Sequence, residues 1–189
     1  MSLLRSHGPG VNEDGHAHLE QAVRLDPRSG LALAYLALAK VILANYREPD
    51  VLASAREFAV RAVALAPADH RTHRILGLIR MFQREHSAAQ GHLQRALQLN
   101  PYDADTLVQF GYLRVMRGYP DEGLGLIERG MRLNPLHPDW YHVDRAVALF
   151  AVGRYRESAD VMGLASVRRP SYVARQAAAA AMAGDLEQA

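Results

Sequence analysis

The residues of this chain that could do chemistry are nine histidines, a scatter of arginines and one glycine-rich run. His70 and His73 fall on one face of a helix, and His16 and His18 lie near a helix start. Such pairs could offer imidazole nitrogen to a metal, but neither has an acidic or third ligand at metal spacing, so no metal site is expected. Lys40, Arg80 and Arg114 recur at one position of successive repeats and could form a basic ladder for an acidic partner. The blander reading, snorkelling heads paired with nearby Glu or Asp, is the favoured one. The run from Gly123 through Gly125 to Gly130 sits inside a helical stretch with no strand before it, so close packing explains its glycines better than phosphate binding. The metalloprotease, phosphate-loop and nucleophile-elbow patterns are all missing. Without cysteine there is no disulfide, thiolate metal site or cysteine nucleophile. No catalytic residue and no cofactor are expected in this chain.

Composition points the same way. Of the 189 residues 49% are hydrophobic but only 7% aromatic, so a core must be built mainly of Ala, Leu and Val. Ala and Leu lose little side-chain freedom in a helix, which favours helices over a sheet. The 22 basic and 20 acidic residues are scattered and nearly balanced, which argues against a nucleic-acid partner. Lys40 is the only lysine. That skew fits a GC-rich coding genome, hence a bacterial origin. The most apolar stretch, Leu31 to Ala44, is interrupted by Tyr35 and Lys40 and is short of the ~18 apolar residues of a membrane span. With no apolar signal core behind Met1 either, a cytoplasmic location is expected.

The elements that must position these residues follow a ruler. Leu65-Ala66-Pro67, Leu99-Asn100-Pro101 and Leu133-Asn134-Pro135 are each 34 residues apart. A fixed period of this size marks a stacked-helix array. Residues 1–10 read as a flexible tail or a cloning remnant, with order starting near Asn12 to Gly15. A first helix then runs into Asp26-Pro27. Helices are predicted over Ser29–Ala44 and Val51–Ala66, with a loop Asn45–Asp50 that takes up six extra residues. His70–Gln83 pairs with Ser87–Leu99, and Ala104–Arg117 with Asp121–Leu133. Asp139–Val152 pairs with Tyr155–Val167, followed by Tyr172–Ala183 and the start of another helix over 185–189. Ser29, Asp69 and Asp103 are placed to cap helix starts. Gly118 and Gly153 are placed to end helices in left-handed conformation, and Pro120 to open one.

Three columns of small residues recur in this frame. They are Ala22, Ala62, Ala96, Gly130 and Ala165; Gly15, Ala55, Ala89, Gly123 and Ser158; and Ala37, Gly77, Gly111 and Ala146. Small side chains at such positions let helix axes approach closely. Leu76-Gly77, Ala89, Leu93, Ala96 and Pro101, and again Phe110-Gly111, Gly123, Ile127, Gly130 and Pro135, resemble the tetratricopeptide repeat in order and spacing. The pattern departs at Arg168-Arg169-Pro170, which lacks a leucine before the proline, and at Arg145, where a large apolar residue is expected. The resemblance implies an all-α, right-handed superhelix of antiparallel helix hairpins, with residues 11–189 forming one array of about five repeats, cut at both ends.

It further implies that the first helix of each pair lines a concave surface for an extended peptide or a partner helix. The residues expected there are Leu31, Leu38, Val41, Arg71, Arg74, Leu78, Met81, Val108, Tyr112 and Val115, continued by Trp140, Val143, Val147 and Phe150. Few are charged, so an apolar groove is expected, and Tyr112 and Met81 changed to Glu should abolish binding while keeping helicity. The implied function is a protein-interaction scaffold with no nucleic acid or membrane as partner. Pro138-Asp139-Trp140-Tyr141 and Gly153-Arg154-Tyr155 also resemble the helical-repeat tails of bacterial signalling proteins such as class III adenylate or guanylate cyclases. A cyclase regulatory segment is therefore one alternative, and a self-associating module that forms a homodimer is another.

Overall fold

A computed structural model describes residues 9–46, 48–166 and 169–184. Among these the regular structure is ten α-helices and no strand. The chain divides into two compact units, residues 1–101 and 102–189.

The first unit holds α1 (Pro9–Leu25), α2 (Gly30–Leu43), α3 (Pro49–Leu65), α4 (His70–Phe82) and α5 (His86–Leu99). The pairs α2/α3 and α4/α5 are hairpins, and α1 packs on α2. The second unit holds α6 (Ala104–Met116), α7 (Pro120–Leu133), α8 (Trp140–Ala151), α9 (Tyr155–Gly163) and α10 (Pro170–Met182). Here α6/α7 and α8/α9 are hairpins and α10 packs on α9.

Local chemistry sets the helix ends. Ser29, Asp69 and Asp103 accept the free backbone N–H groups of Ala32, Arg71 and Thr106, as their types and places predict. Gly118 and Gly153 follow α6 and α8 at φ of 85° and 81°, where a Cβ would be strained. The α4/α5 turn puts Arg84 there instead, at φ 62°. Four expected boundaries move by two residues or more. Helix α1 begins at Pro9, inside the expected tail, and α3 at Pro49, inside the expected loop. Helix α10 begins at Pro170. In all three cases a proline opens the helix, where its missing N–H costs nothing. Helix α9 stops at Gly163, because the Asp139 carboxylate captures the Ser166 backbone N–H at 2.7 Å and turns the chain away. Residues 1–8, 47, 167–168 and 185–189 lie outside the described residues, and with them the expected final helix and Arg168.

The small columns are the hairpin seams. Ala37, Ala55, Ala62, Ala89, Ala96 and Ala146 have no exposed surface. A Cβ on Gly111 would lie 2.6 Å from the Gly123 carbonyl oxygen, so α6 and α7 cross backbone against backbone. In the next hairpin Ser158 fills the same column and its hydroxyl donates to the Ala146 carbonyl at 2.7 Å. Larger residues between the seams, Leu93 and Ile127 among them, are fully buried, each worth about 1.5–3 kcal/mol. The second unit is also pinned by Tyr141, with no exposed surface, whose hydroxyl donates to Asp105 at 2.7 Å. Burial, and then the Asp105 carboxylate, push its phenol far above the usual range.

Candidate partner-binding surface

In the first unit the expected surface residues lie largely inside. Val41 has no exposed surface, and Leu38, Arg74, Leu78 and Met81 are buried. This corrects the picture of an open apolar row along α2 and α4: these side chains are spent on packing. In particular, Met81→Glu would bury a charge and damage the fold, so it cannot report on binding alone. Leu31 stays partly exposed. Arg71 forks onto Asp69, with Nε 2.9 Å and a terminal nitrogen 2.6 Å from the carboxylate oxygens. That hydrogen bonding holds the Asp69 carboxyl below its ordinary range.

The second unit differs. Val108 has no exposed surface and Val143 is buried, again a correction. Tyr112, Val115, Trp140 and Val147 remain partly exposed, and Phe150 is exposed. Trp140, Val147 and Phe150 follow each other along one stripe of α8, with Trp140 edge-on to Tyr141 and Phe150 edge-on to Tyr155. Beside Tyr112 the stripe is polar, which the expectation of an apolar groove missed. Arg175 of α10 donates to the Tyr112 hydroxyl, and Asp144 and Tyr172 act on the same phenol. Burial, opposed in part by Arg175, pushes the half-buried Asp144 carboxyl up to about 8. Burial first and Asp144 second raise Tyr112 above its ordinary value. Only the helical spacing of Asp144 relative to Val143 and Val147 could have pointed to it.

Each cation of the suggested ladder is engaged within its own hairpin. Lys40 lies 5.7 Å from the Phe58 ring centroid. Arg80 pairs with Glu85, which Arg56 also approaches at 3.4 Å. Arg114 pairs with Glu122 at 2.6 Å and covers the Tyr119 ring at 3.9 Å. Where the family pattern departs at Arg145, the guanidinium stands 3.5 Å from Glu128.

The histidines pair differently from expectation. His70 turns to Asp69 and Asn100, whereas His73 meets His92 across the α4/α5 hairpin. Among the described residues no three His, Cys, Asp or Glu side chains converge as a metal would need, and no helix is long and apolar enough to cross a membrane.

No protein-family model and no curated protein matches this sequence. Solved structures do. TTC0263 of Thermus thermophilus, described as a thermophilic tetratricopeptide-repeat protein, superposes with a TM-score of 0.71 at 18% identity over 90% of this chain and 91% of that one. The fold is the tetratricopeptide-repeat fold. YrrB, described as a tetratricopeptide-repeat protein with an unusual peptide-binding site, matches at a TM-score of 0.54 and 15% identity over 90% of this chain and 86% of its own. The human IFIT1 dimer with m7Gppp-AAAA reaches 0.78 at 15% identity, over 94% of this chain but 43% of that one.

Proposed function

We propose that this chain is a non-catalytic interaction scaffold whose second unit receives a peptide or helix of a protein partner along α6 and α8. The observation that carries this reading is the stripe of Tyr112, Trp140, Val147 and Phe150, large side chains left partly exposed beside Asp144 and Arg175. Such a surface offers an apolar stripe for burial and a polar end for orientation. Because hairpins hold it in place, the partner loses conformational freedom on binding and the receptor little. The near balance of acidic and basic residues favours a protein over a nucleic acid as the occupant.

Selection of peptides from a random display library on the full chain tests this. Enriched peptides should lose about tenfold or more in affinity, ~1.4 kcal/mol, when Tyr112 or Phe150 is changed to Ala, with the helical circular dichroism unchanged. Peptides indifferent to both substitutions, or recovery of RNA rather than peptide, would refute the assignment. Light scattering separates self-association, because a dimer broken by the same substitutions would mean that the surface is taken by a second copy.

A further inference from the structure

His73 and His92 form a cluster that the scaffold reading leaves unused. His73 is buried in α4 and His92 is half-buried in α5. Their Nδ1 atoms are 3.2 Å apart, and His73 Nε2 lies 3.1 Å from the Pro67 carbonyl oxygen in the turn before α4. A carbonyl can only accept, so His73 carries its proton on Nε2 and presents a lone pair at Nδ1. His92 must then donate from Nδ1, which leaves its Nε2 without a proton. The two tautomers are therefore set by one backbone carbonyl.

The surroundings disfavour added charge. Burial lowers the proton affinity of both rings, helped by Arg95 on α5 for His73 and by Arg80 on α4 for His92. Helices α2 and α3 also pack on α4 and bring no charged group to act on either ring. Nor does the pair offer a metal site, because no third ligand converges among the described residues and two arginines repel a cation.

A first proton entering at His92 Nε2 leaves the hydrogen bond intact. A second, on His73 Nδ1, sets N–H against N–H and breaks it. We propose that the His73–His92 pair is a two-proton clasp that closes the α4/α5 hairpin near neutral pH and releases it on acidification. Repulsion between the two rings separates the two proton uptakes, so release follows the second, more acidic step.

Two measurements on the full chain decide the matter. Long-range proton–nitrogen spectra near about pH 7.5 should place the His73 proton on Nε2 and the His92 proton on Nδ1. Both rings protonated on Nε2 would overturn the clasp. His92→Asn keeps an N–H donor toward neutral His73 and can turn its amide oxygen to accept from a His73 protonated at Nδ1, so protonation no longer breaks the contact. Between about pH 7.5 and 5, amide exchange in α4 and α5, corrected for its intrinsic pH dependence, should accelerate roughly tenfold or more in the wild type. In H92N the acceleration should largely vanish, and equal acceleration in both proteins would refute the proposal. Should H92N fold poorly, the wild-type tautomers decide alone.

Discussion

Asp144 shows how a single side chain can oppose the fold that carries it. Its carboxyl is half-buried and pushed up to about 8 from an ordinary 3.8, burial outweighing the attraction of Arg175. Between those two values the folded chain holds a proton that the unfolded chain has released. Stability from this group is therefore greatest below the lower value and falls as pH rises toward the upper one. One pKa unit is about 1.4 kcal/mol; discounting for partial exposure, Asp144→Asn should stabilise by on the order of 2 kcal/mol above pH ~8 and change little near pH ~3. Urea unfolding at the two pH values checks this, and equal effects at both would mean the carboxyl titrates normally. The sequence marks Asp144 only as a polar residue between Val143 and Val147. Its raised protonation arises from burial in the fold, which Arg175, arriving from α10, only partly offsets.

At the scale of elements, the hairpin seams separate glycines that a close crossing requires from glycines that face open space. Gly111 and Gly125 both lie inside helices. A Cβ on Gly111 would meet the Gly123 oxygen at 2.6 Å and Ile127 at 2.7 Å, whereas one on Gly125 meets nothing within 4 Å. Gly111→Ala should therefore cost about 1–3 kcal/mol, the strain exceeding the gain in helix propensity. Gly125→Ala should stabilise by about 1 kcal/mol for the opposite reason. Chemical denaturation of the two variants tests the pair, and equal signs would place the α6/α7 seam wrongly. The columns that frame these seams were legible from the 34-residue period, since small residues recur wherever two helices cross. Gly111 stands in one of those columns and Gly125 in none; what was not legible is how close the backbones come, since a period carries no distances.

Across the whole chain, 22 basic residues are set against 20 acidic ones, and Arg71, Arg80, Arg114, Arg145 and Arg154 already face carboxylates. Scattered cations, partly paired in this way, displace few counterions, so retention on heparin or poly(U) should vanish by about 0.15 M salt. Retention persisting well beyond that would reopen a nucleic-acid role. The sequence by itself determined the hairpin frame, the Ser29, Asp69 and Asp103 caps, and the small seams, because these depend on residues a few positions apart or on a repeated period. Tertiary structure alone decided which first-helix residues are spent inside the fold, Val41 and Val108 among them, and which keep exposed surface, Tyr112 and Phe150 among them. It also joined His73 to His92 and Tyr141 to Asp105, 19 and 36 residues apart. A period states that two helices pack; which polar atoms then face each other depends on side-chain direction and on the space their neighbours leave.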